Sequence, residues 1–246
     1  MSTEAVTYEV RGAVAWITLD DGGPNALNSE IFSAFFASLD AAESDAEVGS
    51  VVIAGRPGFF SAGMDLKWMQ RIDREQLGTI GPDLARLAHR IYIFPKPVIA
   101  AIEGHAIAGG AVIALACDRC VGAHGEYKVG LNEVAIGIPF GGFAMKLAET
   151  RLVPAAFSGG LLHGEVFMPQ RAYELGYLDD LVDPSMLQAR VTEIAERAAG
   201  LSSFAYAGTK HAMRGELAAE ILEQAESGVL VPLFQAFADL RESQSV

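Results

Sequence analysis

The segment from Lys96 to Pro139, KPVIAAIEGHAIAGGAVIALACDRCVGAHGEYKVGLNEVAIGIP, constrains this chain more than any other. An apolar strand over Val98–Ile102 leads to a Gly-rich turn, His105–Gly110, which opens a buried helix over Gly109–Cys117. Backbone N–H groups at a helix start stabilise negative charge. Further on, a single carboxylate, Glu133, sits in an otherwise apolar run with Val134, Ile136 and Ile138. A carboxylate in an apolar setting is a base whose pKa is raised toward neutrality. Together these features read as a site that makes and holds an enolate. The competing reading of Glu133 is a surface or ion-paired carboxylate. Tight helix packing is a second, compatible role for Gly109–Gly110.

The rest of the chain alternates strands and helices, then turns helical. Val6–Val10 and Ala13–Leu19 are β-rich runs split by Arg11-Gly12, a hairpin signal. Asn28 or Ser29 caps a helix whose apolar stripe is Ile31, Phe32, Phe35, Phe36 and Leu39. Val51–Ala54 reads as a buried strand, Arg56–Ser61 as a loop, and Asp65–Met69 as the start of a helix. The polar, irregular stretch Lys67–Pro82 reads as mobile, ahead of a helix through Leu84, Leu87, Ala88 and Ile91 that Pro95 stops. Strands are expected at Arg119–Ala123 and Lys128–Gly130. Helices follow at Phe143–Glu149, Ala155–Leu162, Pro169–Leu175, Ser185–Ala199, Ser203–Arg214 and about Glu216 to Leu240. This gives an α/β core over residues 1–183 and a helical C-terminal region over 184–246.

With 246 residues, 51% of them hydrophobic, the chain can bury one sizeable core. A formal net charge of −13 argues against nucleic acid or an anionic membrane as partner. The N-terminus MSTEAVTYEV lacks the basic and apolar regions of a signal peptide, and no run has the ~20 apolar residues of a bilayer span. A cytoplasmic protein is the expectation. Cys117 and Cys120 have a C-x-x-C spacing, but no second Cys pair or His pair completes a metal site, so both are read as reduced thiols. No metal is expected, and a dinucleotide site is disfavoured because G-x-G-x-x-G is not matched.

Four motifs, in order, resemble the crotonase superfamily, the enoyl-CoA hydratase/isomerase family. They are PNALN at Pro24–Asn28, FFSAGMDL at Phe59–Leu66, the KPVIAAIEGHAIAGGAVIALACD stretch, and GLNEVAIGI at Gly130–Ile138. The resemblance implies an α/β fold, a crotonase-type spiral of ββα units with a helical C-terminal region that serves assembly and covers the site. It also implies a homotrimer or dimer of trimers, and an acyl-CoA thioester substrate of fatty-acid metabolism with no separate cofactor. By motif position the backbone N–H groups of Met64 and Gly109 form an oxyanion hole. Ala26, Leu27, Ser61 and Ala62 lie near the adenine of CoA, and Lys210 and Arg214 near its phosphates. An ordinary loop and solvated helix charge are the alternative readings of these two sets. Val112, Trp68, Met69, Phe140 and Phe143 are candidate acyl-pocket walls, with core packing the equal alternative.

The hydratases of that family use two glutamates. Ungapped comparison over Gly104–Asp118 places Val112 at the first position and Glu133 at the second. Val112 can neither transfer a proton nor hold a water. Moving a double bond needs only one base, which takes a proton from C2 and returns it at C4. Asn132 before Glu133, where the hydratase pattern has proline, gives GLNE, which looks like the mitochondrial-type Δ3,Δ2-enoyl-CoA isomerases. The expectation is therefore a Δ3,Δ2-enoyl-CoA isomerase. The alternatives are an enoyl-CoA hydratase and a catalytically weak acyl-CoA-binding homologue.

Overall fold

The computed structural model describes residues 5–232. The chain opens with a hairpin, β1 (Val6–Arg11) antiparallel to β2 (Val14–Leu19), turning at Gly12 with φ of +60°. Helix α1 (Ser29–Ser44) starts where the Asn28 side chain accepts the Ile31 N–H, and it buries Ile31, Phe32, Phe35 and Leu39. Then follow β3 (Ser50–Ala54), β4 (Gly58–Ser61), α2 (Leu66–Met69) and α3 (Arg74–Tyr92). A second round is β5 (Val98–Ile102), β6 (Gly104–Ile107) and α4 (Gly109–Ala116). A third is β7 (Arg119–Ala123), β8 (Val129–Gly130) and α5 (Gly142–Glu149). A π-helical turn (Phe157–Leu162), α6 (Pro169–Leu175), β9 (Asp180–Val182), α7 (Leu187–Ala199) and α8 (Ser203–Glu226) complete it.

Each ββα round gives its first strand to one sheet and its second to another. The larger sheet has the order β1-β2-β3-β5-β7-β9, parallel beyond the first hairpin, and the smaller has β4-β6-β8. The large sheet is covered on both faces, which is why its strands read as apolar runs rather than alternating ones. Ile17, Val51, Ile53, Ala100 and Ile102 face the main core. Trp16, Val52, Ile99, Ala101 and Val121 face α7, against Leu187, Val191, Ile194 and Ala195. Cys117 and Cys120 are free thiols in the interior, and burial pushes both pKa values up, Cys120 to about 12.

Several expectations are corrected. Arg56–Ser61 is not all loop, since Gly58–Ser61 forms β4, and the Gly-rich turn contains β6. These strands exist because glycines let backbones touch. An ideal Cβ at Gly104 would stand 2.1 Å from Gly58 C and Phe59 N, and one at Gly55 would stand 2.2 Å from Phe59 O. The stretch expected to be mobile is largely helix. The Asp73 side chain accepts the Gln76 N–H while Gln76 reaches back to the Asp73 N–H, a capping box that starts α3. Helix α3 runs through Pro82, with the lost N–H outweighed by burial of Leu77, Ile80, Leu84, Leu87 and Ile91. The expected helix over Ala155–Leu162 is present, its last six residues, Phe157–Leu162, being π-helical. The two last expected helices are one, because α8 passes Gly215 and buries Ala218, Ile221 and Ala225; what was expected beyond residue 232 lies outside the described residues.

Lys210, expected beside CoA phosphates, is 5% exposed and gives its ammonium to Asp118 at 2.8 Å. Arg214, one turn on, donates to the same carboxylate at 2.7 Å and to Tyr92 O at 3.0 Å. Asp118 Oδ2 also accepts the Val98 N–H at 2.7 Å. The two cations therefore dock α8 onto the β5 and α4 ends, sharing the single carboxylate of Asp118. Asp118→Ala leaves a buried ammonium without its counter-charge, and urea unfolding should show a loss of about 4 kcal/mol.

Candidate active site

The site is assembled from three loops brought backbone to backbone. Asn25 is fully buried with φ of +54°, a conformation asparagine tolerates. Its Nδ2 donates to Leu19 O at 2.8 Å, Phe59 O at 2.9 Å and Phe60 O at 3.2 Å, and its Oδ1 accepts the Asp21 N–H at 3.0 Å. Ser61 Oγ donates to Asn25 O at 2.7 Å, and Ala62 N to Pro24 O at 3.0 Å. Leu27 and Met64 then form a parallel bridge in which Leu27 N donates to Gly63 O and Asp65 N to Leu27 O. Leu27 makes both bonds of that bridge, so the Met64 N–H points to the opposite side.

That side faces the start of α4. Ala108 precedes the helix with φ of +49° and ψ of −121°, a strained conformation for a residue with a Cβ. Its N–H is tied to Gly130 O and its carbonyl accepts the Val112 N–H, both at 3.0 Å, so the strain is held from both sides. A Cβ at Gly110 would lie 2.2 Å from Ser61 O, and one at Gly63 would lie 3.1 Å from Gly109 N. Glycine at both positions is what lets the loop before α2 lie against the loop before α4. Among the described residues neither the Met64 nor the Gly109 N–H has an acceptor.

Glu133 enters from β8, which is tied to β6 by the pairs Ala106↔Val129 and Ile107↔Gly130. A 3-10 turn over Val134–Ile136 follows, and Glu133 O accepts the N–H groups of Ile136 and Ile138. The carboxylate lines a cavity of about 160 Å³ together with Met64 and Gly109. Its apolar walls are Leu66, Met69, Leu84, Ile107, Ile136 and Ile138, and Asn132 is the other polar side chain present. Glu133 Oε2 and Asn132 Oδ1 are buried without a hydrogen-bond partner among the described residues. Burial raises the Glu133 pKa to about 7 against a smaller pull from its own backbone. Glu133 is the sole ionisable group among the described residues that line this cavity.

The structure brings Met64, Gly109, Ala62 and Glu133 into one pocket, whereas Ala26, Leu27 and Ser61 belong to the loop clasp beside it. Of the expected walls it brings in Met69, while Phe143 is buried in the main core. Val112 lies within α4, and its side chain is buried in the main core. Trp68 packs on the outside of a small apolar cluster formed by Met69, Leu77, Ile80 and Ile138. Phe140 lines a separate, wider cavity with Gln224 and Leu230. Leu84 and Ile107 take their place, residues that in the sequence look like ordinary core positions. Tyr177 also went unremarked. It is buried, and its pKa is raised first by burial and then by the Glu133 charge, against a smaller pull from the Leu131 backbone. No group of His, Cys, Asp and Glu among the described residues could hold a metal, and no described helix is long and apolar enough to cross a membrane.

Residues 9–245 match the family model for enoyl-CoA hydratase/isomerase. The short-chain-enoyl-CoA hydratase of Clostridium acetobutylicum is 32% identical over 80% of this chain and 76% of its own. A solved Mycobacterium tuberculosis enoyl-CoA isomerase superposes with a TM-score of 0.85 at 32% identity, covering 92% of this chain and 98% of that one. Human mitochondrial delta3-delta2-enoyl-CoA isomerase superposes with a TM-score of 0.87 at 27% identity, covering 98% of this chain and 93% of that one. Hydratase names predominate among the curated relatives.

Glu133 sets a pH dependence of stability whose sign follows from its raised pKa. The folded chain keeps this proton up to about pH 7, whereas the unfolded chain loses it near 4.5. The contribution is therefore full below the unfolded pKa and falls as pH rises through the folded one, by roughly 3 kcal/mol in all. Glu133→Gln removes that slope. In thermal melts its advantage over the parent should be small at acid pH and grow steadily until it levels off above neutrality.

Proposed function

We propose that this chain, which belongs to the enoyl-CoA hydratase/isomerase family, is a Δ3,Δ2-enoyl-CoA isomerase working through Glu133 alone. CoA enters as part of the substrate. The thioester oxygen accepts hydrogen bonds from the Met64 and Gly109 N–H groups. Glu133 removes a proton from C2, and the electron pair of the broken C–H bond delocalises onto the oxygen as a dienolate. Glu133 then returns the proton to C4, so the double bond moves from C3–C4 to C2–C3 with no net change in atoms. Two preorganised donors hold the oxygen most strongly once negative charge has developed on it, which is how such donors lower a barrier. A base near pKa 7 accepts and returns a proton with little bias.

The observation that carries this reading is that, among the described residues, one ionisable group lines a pocket that also holds two backbone N–H donors without an acceptor. Hydration is the second reading, favoured by the names of the relatives. It needs a further group to position water, and Val112 lies in the core instead. Assembly as a homotrimer or dimer of trimers, with residues 184–246 serving assembly and cover, and a cytoplasmic location are part of the proposal. Exposed Phe204 and Met213 on α8, at 90% and 78%, support the assembly.

Incubation with 3-enoyl-CoA and 2-enoyl-CoA should give isomerised and not hydrated product. Glu133→Gln should lower kcat by about a thousandfold while acyl-CoA affinity changes little. Efficient hydration, or a Gln variant with full turnover, overturns the proposal. Because the base must be ionised, kcat/KM should climb with pH through about 7 and then reach a plateau.

A further inference from the structure

We infer that the pocket is built for short acyl chains, of about four to six carbons, with Met69 and Ile138 among the walls that bound it. The inference rests on the acyl-CoA reading above and adds a substrate class to it. The cavity is about 160 Å³. A cavity of about 150 Å³ with aliphatic walls accommodates one benzene, that is, about six carbon atoms. The thioester carbonyl and C2 must share this space, because Met64, Gly109 and Glu133 all line it. Little room is left beyond the carbons between which the double bond moves.

What stops a longer chain is packed structure rather than a loose loop. Met69 and Ile138 are 5% and 8% exposed, and behind them stand Leu77 and Ile80 of α3 in the same apolar cluster. Leu77 and Ile80 lie in the first two turns of α3, which the Asp73–Gln76 capping box fixes in place. Trp68 and Ile72 seal the cluster from outside. A longer acyl chain would have to part α2 from α3 at this cluster. Interiors packed to this density resist such deformation.

The test is a chain-length series. With trans-3-hexenoyl-, trans-3-decenoyl- and trans-3-dodecenoyl-CoA, kcat/KM should fall at least about tenfold beyond the hexenoyl substrate. Met69→Ala should raise the decenoyl-to-hexenoyl ratio of kcat/KM by about tenfold, and Met69→Leu should leave that ratio near the parent value. Ile138→Ala serves the same purpose if Met69→Ala does not fold. Equal kcat/KM across the series, or a ratio unmoved in a folded alanine variant, overturns the length limit. Calorimetric binding of saturated hexanoyl- and decanoyl-CoA separates this from the isomerase reading. Tighter hexanoyl binding upholds the limit even without turnover, and equal or tighter decanoyl binding overturns it however fast isomerisation is.

Discussion

Asn25 ties the end of β2 to β4 through one carboxamide, its Nδ2 on the carbonyls of Leu19, Phe59 and Phe60 and its Oδ1 on the Asp21 N–H. The side of the pocket that carries the Met64 N–H is downstream of that knot. It sets the path of residues 26–28, so that Leu27 aligns with Met64, and that alignment turns the Met64 N–H toward α4. A carboxylate at position 25 would lose the donor and an aliphatic residue both functions, and few residues other than asparagine accept its positive φ. Gly110 completes the arrangement by letting Ser61 O come where a side chain would stand.

Around this knot the chain concentrates features that are individually unfavourable. Ala108 holds a strained backbone, two N–H groups lack acceptors, and a carboxyl group is buried with an unpartnered oxygen. Each would relax in isolation. They persist because the large sheet, covered on both faces, and the small sheet beneath the loops fix the backbone on either side. Strain of this kind is stored where the surrounding structure over-determines it, and it leaves the site organised before any ligand arrives.

The first hairpin, α1 with its Asn28 cap, and the strands of the large sheet through β7 were legible in the sequence because their signals are local: a turn glycine, a capping side chain, an apolar run. So was the membership of Glu133 and the Gly109 turn in one constellation. Strands β4 and β6 were not, since each has four residues and exists only where Gly104 and Gly55 permit backbone contact. The Asp73 cap was hidden by the polar residues around it, and α3 reads as irregular until its partners are known. Lys210 looks like a solvated helix lysine, because the carboxylate that takes its charge lies 92 residues away. Most of the expected pocket walls failed for a similar reason. Trp68 and Met69 are adjacent in sequence, but α2 turns only Met69 inward.

The strand order has a consequence for how such a protein can change. β7 and β9 are hydrogen-bonded neighbours, Val121 opposite Asp180, yet the chain between them includes β8, Glu133, α5 and α6. This excursion leaves and rejoins the large sheet at one place, where Asp179 accepts the Cys120 N–H, donates its own to Cys120 O, and pairs with Arg151. Glu133 is thus carried on a segment that leaves and rejoins the large sheet at one place, while Met64 and Gly109 lie in earlier rounds of the chain. Recombination that exchanged this segment between its two adjacent roots would keep every ladder of the large sheet, provided the new segment restored the β6–β8 pairs and the Gly130 carbonyl that holds Ala108.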